Sequence, residues 1–244
     1  LANNHSLDKG EQAIINSNQY WSTRNVMTSG TYDSFEEQNK INVKTKNNIS
    51  YTLLSYTTST NGLAVPKGKE YLVNIYSDEK VKEDIERVRD KVDVIIISMH
   101  WGVEYNHSPN EEQKRIAKYL SELGVDLVVG HHPHVVQPIE FIDDTLVIYS
   151  LGNFISGQTG LHKLVGMLVS VDIVKRDINN SIIIDIENIK SELFYISSND
   201  LKNFKVVPYH NLNNSILPNY EEILKPYAEV INKYENNIQV NKEM

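Results

Sequence analysis

The 244-residue chain contains no cysteine, which excludes disulfides and thiolate metal sites. A thiol-free chain suits an extracellular location as well as a cytoplasmic one, so this absence does not decide the compartment. Long apolar runs are missing too. No stretch approaches the roughly 18 residues needed to cross a bilayer, and no basic start followed by an apolar segment marks a signal peptide. Positive charge is in short supply: 24 Lys and Arg stand against 32 Asp and Glu, for a net charge of −8. That balance argues against a general nucleic-acid binder and against a polybasic membrane surface. An anionic substrate would need a local cationic site, which metal ions could supply. The chain also lacks an initiating Met. It opens on Leu1-Ala2-Asn3-Asn4-His5, an apolar stub followed by turn-like polar residues, which predicts a strand end whose earlier part lies upstream.

What is present is ordinary for a globular protein, with 40% hydrophobic and 23% charged residues, enough for one sizeable domain or two small ones. Asp8 to about Tyr20 reads as a helix with Asp8 as its cap, and residues 21–40 read as loop. A hairpin is expected between Ile41–Thr45 and Ile49–Tyr56 across Asn47-Asn48, then a loop from Thr57 to Pro66 and a short strand over Tyr71–Ile75. Val81, Ile85 and Val88 recur at helical spacing within Asp78–Asp90. Val92–Met99 is too apolar for a half-exposed strand. Ser108-Pro109-Asn110-Glu111 reads as a capping box opening a helix that Gly124 stops. Strands are expected at Val125–Val129, Thr145–Ser150, Leu164–Val174 and Ser181–Ile186, with a turn at Asn179-Asn180 and a weaker strand at Phe194–Ile196. An acidic amphipathic helix over 219–240 is expected to break or restart near Pro226. Residues 1–205 read as the main domain and 206–244 as a helical extension.

Three of the eight histidines fall in Gly130-His131-His132-Pro133-His134, directly after an apolar strand. His100 follows the preceding strand in the same way. A strand, a capped helix and a strand form a βαβ unit, and in open α/β sheets ligands gather at the carboxyl ends of the strands. The two histidine loops are therefore expected to converge there. Imidazoles and the Asn4 side-chain carbonyl suit borderline metals such as Zn, Mn or Fe, in an open site rather than a closed structural one. Among the acids near these loops, Glu104 reads as a surface residue. His107, His162 and His210 read as isolated surface or core histidines, and Trp101 as packing against a site wall.

Four segments in order, Leu1–Asp8, Met99-His100-Trp101-Gly102-Val103-Glu104-Tyr105, Gly130-His131-His132-Pro133-His134-Val135 and Tyr149-Ser150-Leu151-Gly152-Asn153-Phe154, resemble the CapA family of poly-γ-glutamate capsule biosynthesis proteins. That family is related to the calcineurin-like metallophosphoesterases. Tyr51–Gly62 also looks like a family segment, and the resemblance covers roughly residues 1–165. It implies a metallophosphoesterase-like four-layer α/β/β/α sandwich with mixed sheets, its N-terminal strands missing from this chain, and a centre of two divalent metal ions, Mn, Zn, Fe or Mg. By motif, Asn4, His100, His132 and His134 look like metal ligands and His5 like the catalytic histidine at the leaving group. His131, Asp8, Trp101 and Asn153 look like substrate-binding or supporting residues. His131 stands where the family pattern has Gly. Relatives carry further ligands before the Asn-His motif, and a membrane anchor is expected upstream. The resemblance thus implies work at the extracellular face of the bacterial cell membrane. Expected partners are poly-γ-glutamate or a phosphorylated intermediate, other capsule-synthesis membrane proteins and the missing N-terminal segment, with no nucleic acid. Two alternatives stand beside it: a non-catalytic polymer-binding assembly component, and a soluble metal-dependent phosphodiesterase or nucleotidase.

Overall fold

A computed structural model of the protein describes residues 1–179, 181–235 and 237–241. The chain divides into two compact units, Leu1–Trp101 with Lys118–Val129, and Gly102–Ala117 with Gly130–Met244. Two sheets and five α-helices are present among the described residues, the mixed α/β class that alternating strands and capped helices predict. No described helix is long and apolar enough to cross a membrane.

The first unit opens on turns, not on the predicted strand end: Ser6 N donates to Asn3 O and Asp8 N to His5 O. Asp8 does not cap the helix that follows, α1 (Gly10–Ser22). Lys9 precedes that helix with no side-chain bond, and the Asp8 carboxylate lies 2.8 Å from His5 Nδ1 instead. The stretch expected to be loop contains a short helix, α2 (Phe35–Asn39), whose Ser34 hydroxyl accepts from Glu37 N. The hairpin forms as predicted, with β1 (Lys44–Lys46) antiparallel to β2 (Ile49–Thr57). Asn47 and Asn48 sit between them at φ 49° and 66°, the positive pair that a two-residue turn requires. Residues 71–75 are not a strand. A 3₁₀ turn covers Glu70–Leu72, and Ile75 makes a single bridge to Thr57. Leu72 and Val73 are buried in a cluster with Ala2, Leu7 and Ile14, and five residues are too few for periodicity to separate a buried turn from a strand.

Helix α3 (Asp78–Val88) has the expected buried stripe of Val81, Ile85 and Val88 and is capped by Ser77, which accepts from Lys80 N. Strand β3 (Val94–His100) runs parallel to β2, with Thr57 opposite His100. The neighbours run in the order β1, β2, β3 and β4 (Leu127–His131). Val94, Ile95, Ile97 and Met99 are fully buried, as a near-continuous apolar run demands. Between β3 and β4 lies α4 (Glu111–Glu122). Its capping box sits two residues later than predicted: Asn110 Oδ1 accepts from Gln113 N at 2.8 Å while Gln113 Oε1 accepts from Asn110 N at 3.1 Å. Ser108 instead accepts from Lys233.

In the second unit a strand that was not expected from the sequence follows Pro138. β5 (Ile139–Ile142) pairs antiparallel with β6 (Thr145–Ile148). The other sheet is built on β8 (Ser181–Asn199), flanked by antiparallel β7 (Val165–Ile178) and β9 (Lys202–Pro208) and by a short parallel β10 (Gln239–Val240). Asn179 turns at φ 54°, and Asn180 lies outside the described residues. Phe194 and Ile196, expected in a short weak strand, belong to the buried part of the 19-residue β8. Helix α5 (Tyr220–Ile231) continues through Pro226 instead of breaking. The lost backbone bond is outweighed by a buried face of Leu224, Tyr227 and Ile231. Among the described residues the left-handed positions are shared mainly between glycine and asparagine, with eight of each: the asparagines are Asn47, Asn48, Asn61, Asn179, Asn188, Asn203, Asn219 and Asn241.

Two glycines decide where the segment after β6 lies. Gly152 and Gly166 form a backbone bridge. A Cβ on Gly166 would stand 2.5 Å from Asn153 O and 2.4 Å from Phe194 Cζ, and one on Gly152 2.9 Å from Val165 O. The Asn153 contact is with backbone and cannot rotate away. Gly166→Ala is expected to lower stability by about 1–3 kcal/mol. At roughly 2–4 °C per kcal/mol for a chain of this size, thermal denaturation should show a clear drop in midpoint, and an unchanged midpoint would contradict the close approach.

Candidate functional site

Asn4, His5, Asp8, His100 and Trp101 lie in the first unit, and His131, His132, His134 and Asn153 in the second. Each group is organised within its own unit. In the first, Asn4 is buried and its Oδ1 lies 2.9 Å from His100 Nε2 at the carboxyl end of β3. Asn4 Nδ2 donates to Asn61 Oδ1 at 3.2 Å, and the Asn61 turn is set at φ 54° before Gly62. His100 itself is tied to the β2 exit, because its carbonyl accepts from Thr58 N. The His5 side chain is 63% exposed, with the Asp8 carboxylate 2.8 Å from Nδ1. Trp101 is fully buried, so it offers no surface to a ligand and serves packing.

In the second unit the loop after β3 is tied to the histidine loop by three bonds. Tyr105 N donates to Pro133 O at 2.7 Å, His107 Nδ1 to Val136 O at 2.7 Å and Gln137 Nε2 to Asn106 O at 2.7 Å. Gln137 is fully buried and also accepts from Gln113, so the tether has no water to compete with it. His107 is therefore structural, and packs edge-on to Tyr227. The tether carries Glu104 to the histidines. One ligand atom each from Glu104, His132 and His134 lies within 4.8 Å of the others, and Glu104 Oε1 is 3.8 Å from His134 Nε2. Glu104 is exposed, as its sequence position suggests, and stands beside the two histidines. His132 and His134 hold φ of 98° and 59° on either side of Pro133, backbone that costs on the order of 1 kcal/mol each and persists where surrounding bonds enforce it.

Asn153 sets the proton on His134. Its Nδ2 donates to the backbone carbonyl of Lys163 at 3.0 Å and to Gln158 Oε1 at 3.0 Å. A carbonyl can only accept, so the amide is oriented with Oδ1 toward His134 Nδ1, 2.8 Å away. Neutral His134 must then carry its hydrogen on Nδ1, leaving the Nε2 lone pair on the Glu104 side. A ligating histidine needs this arrangement, with the far nitrogen donating to a fixed acceptor. Two imidazoles and a carboxylate, one imidazole with its tautomer fixed, fit a divalent ion with positions left open. Tyr105 stacks on His134, with ring centroids 5.9 Å apart at 25°, and Lys163 Nζ lies 4.6 Å from the far-reaching Tyr105 ring centroid. Loss of solvent, then Glu104, push the Tyr105 phenol above its ordinary range, so the ring stays neutral. The sequence reading missed Tyr105 and Lys163. Tyr105 lies inside the segment Met99–Tyr105, but nothing local marks Lys163. His162 is not isolated, since it stands edge-on to Tyr105, whereas His210 pairs with the buried Glu192. Burial holds the His131 imidazole below its ordinary range, which keeps it neutral near pH 7.

Replacing Asn153 by Leu removes the acceptor that fixes His134. Titration calorimetry with Mn²⁺ or Zn²⁺ should show affinity about 10–100-fold weaker, with His210→Ala as an unchanged control. Equal affinity in Asn153→Leu would refute the ligand role of His134.

The family model for the bacterial capsule synthesis protein PGA_cap matches residues 1–158. The PGA biosynthesis protein CapA of Bacillus subtilis is 33% identical over 159 residues, covering 64% of this chain and 42% of that protein. The capsule biosynthesis protein CapA of Bacillus anthracis is 28% identical over 163 residues, covering 65% and 39%. The chain spans about two fifths of the length of these curated relatives. Among solved structures, the NAD nucleotidase of Haemophilus influenzae aligns over 83% of this chain and 38% of its own, at 10% identity and a TM-score of 0.37. With the match covering well over half of its length, including every motif described above, the chain belongs to the bacterial capsule synthesis protein family, PGA_cap.

Proposed function

We propose that the chain acts in the synthesis or export of a poly-γ-glutamate capsule, as a metal-dependent domain at the extracellular face of the cell membrane. The observation that carries this reading is the family match across residues 1–158. The names of the Bacillus relatives, PGA biosynthesis protein and capsule biosynthesis protein, support it. Glu104, His132 and His134 would hold a divalent ion. In the first unit, the resemblance alone would make metal ligands of the paired Asn4 and His100. A bound ion supplies Lewis acidity and positive charge for an anionic oxygen, which a chain of net charge −8 otherwise lacks.

The chain's own residues supply the rest. Asn153 keeps the His134 proton on Nδ1. By the resemblance, His5, which is exposed and has Asp8 beside it, would pass a proton to a leaving oxygen. That last role belongs to a hydrolytic form of the reading, whereas an assembly component would need only the binding groups.

The test is made in the source bacterium with the full-length protein. His134→Ala is expected to abolish surface poly-γ-glutamate at unchanged protein abundance, and normal polymer levels would refute the metal-dependent role. Turnover of a phosphate ester by the purified protein, lost in His5→Ala, would assign the hydrolytic form. Polymer binding without turnover would assign the assembly form.

A further inference from the structure

We infer that Lys163 is a specificity-determining residue whose ammonium reads a side carboxylate of a γ-glutamate chain engaged at the Glu104, His132 and His134 cluster. This rests on the proposed capsule role and adds the group that recognises the polymer.

Lys163 ends a 3₁₀ turn, Leu161–Lys163, that follows Gly160 at φ 102°. A Cβ on Gly160 would stand 3.3 Å from Lys163 Cε and 3.2 Å from His162 Cε1, so the glycine leaves room for both side chains to fold back. The Lys163 carbonyl is occupied by Asn153 Nδ2, which fixes the backbone of the residue to the same amide that orients His134. Its side chain then reaches the Tyr105 ring, and that ring is stacked on the His134 imidazole. One residue is thus locked to the histidine site twice, by its carbonyl through Asn153 and by its ammonium through Tyr105.

The ammonium has unused capacity. Lys163 is half-buried, and among the described residues no carboxylate or hydrogen-bond acceptor engages Nζ. A ring face satisfies one direction of an ammonium, and its other N–H groups remain donors. Several other lysines of this chain do have an acid partner: Lys80 engages Asp84, Lys114 engages Glu111 and Lys69 engages Glu11. In a chain with an excess of acid, a partly desolvated cation without a counter-charge marks a place where an anion completes the arrangement. Poly-γ-glutamate presents a carboxylate on every repeat, so a segment engaged at the cluster brings the next carboxylate along with it. A substrate with a single anionic group would leave Lys163 unused.

The test is calorimetry with a γ-linked glutamate pentamer in the presence of Mn²⁺, comparing the wild-type protein with Lys163→Met and Lys163→Arg. Lys163→Met should weaken pentamer binding about tenfold, the size expected for one charge-assisted hydrogen bond, and Lys163→Arg should largely retain it. The Mn²⁺ affinity and thermal midpoint of Lys163→Met should match the wild type. Equal pentamer affinity in Lys163→Met would overturn the inference and leave the capsule role standing. A parallel loss of Mn²⁺ affinity would also overturn it, by showing that Lys163 only props Tyr105 against His134. Failure of the wild-type protein to bind the pentamer, whether or not it binds inorganic phosphate, would instead strike the proposed polymer role, and the inference with it.

Discussion

The arrangement of the second unit depends on how closely two backbones approach at Gly152 and Gly166. Because neither residue carries a side chain, residues 151–153 lie directly against β7, and Asn153 is delivered at a fixed height and angle. Its amide is then read at both ends, by the Lys163 carbonyl on one side and His134 on the other. A tautomer, a loop conformation and a cation position follow from one contact between main chains. Van der Waals exclusion is steeper than any hydrogen bond, which makes it a suitable origin for such a chain of dependencies.

A second constraint acts from the opposite side. The loop leaving β3 has no regular structure, yet three hydrogen bonds to residues 133–137 hold it, one of them from the buried Gln137. Loops that carry chemistry are usually positioned by the scaffold they leave. Here the loop is positioned by its neighbour, so the spacing of Glu104, His132 and His134 depends on both loops together. The left-handed backbone at His132 and His134 fits this picture, since isolated residues would relax out of it.

Much of this was legible in the sequence. The Asn47-Asn48 hairpin, the α3 stripe and the buried β3 follow from turn chemistry and periodicity, because those signals are local. The order of the motifs marks His132, His134 and Asn153, and the structure brings these three side chains together. The errors share one cause: tertiary partners decided. Asp8 looked like a helix cap until His5 competed for its carboxylate. Residues 71–75 had the composition of a strand and became a buried turn around Leu72. Pro226 should have ended a helix that three buried side chains sustain. Glu104 is a surface residue as expected, but its nearness to the histidines depends on the tether through Tyr105 and Gln137, whose bonds join residues about thirty positions apart. Lys163 carried no local signal at all, because its meaning lies in the ring beneath it.

The asparagine turns bear on the state that the folded structure never shows. At a left-handed position glycine is the residue with least strain, but it also gives the unfolded chain the most conformations to lose. Asparagine tolerates the same φ at some cost but narrows the unfolded ensemble, so part of the strain is offset by a smaller entropy loss on folding. Among the described residues eight asparagines and eight of the 11 glycines share these positions, so the turns of this chain are set partly through the unfolded state.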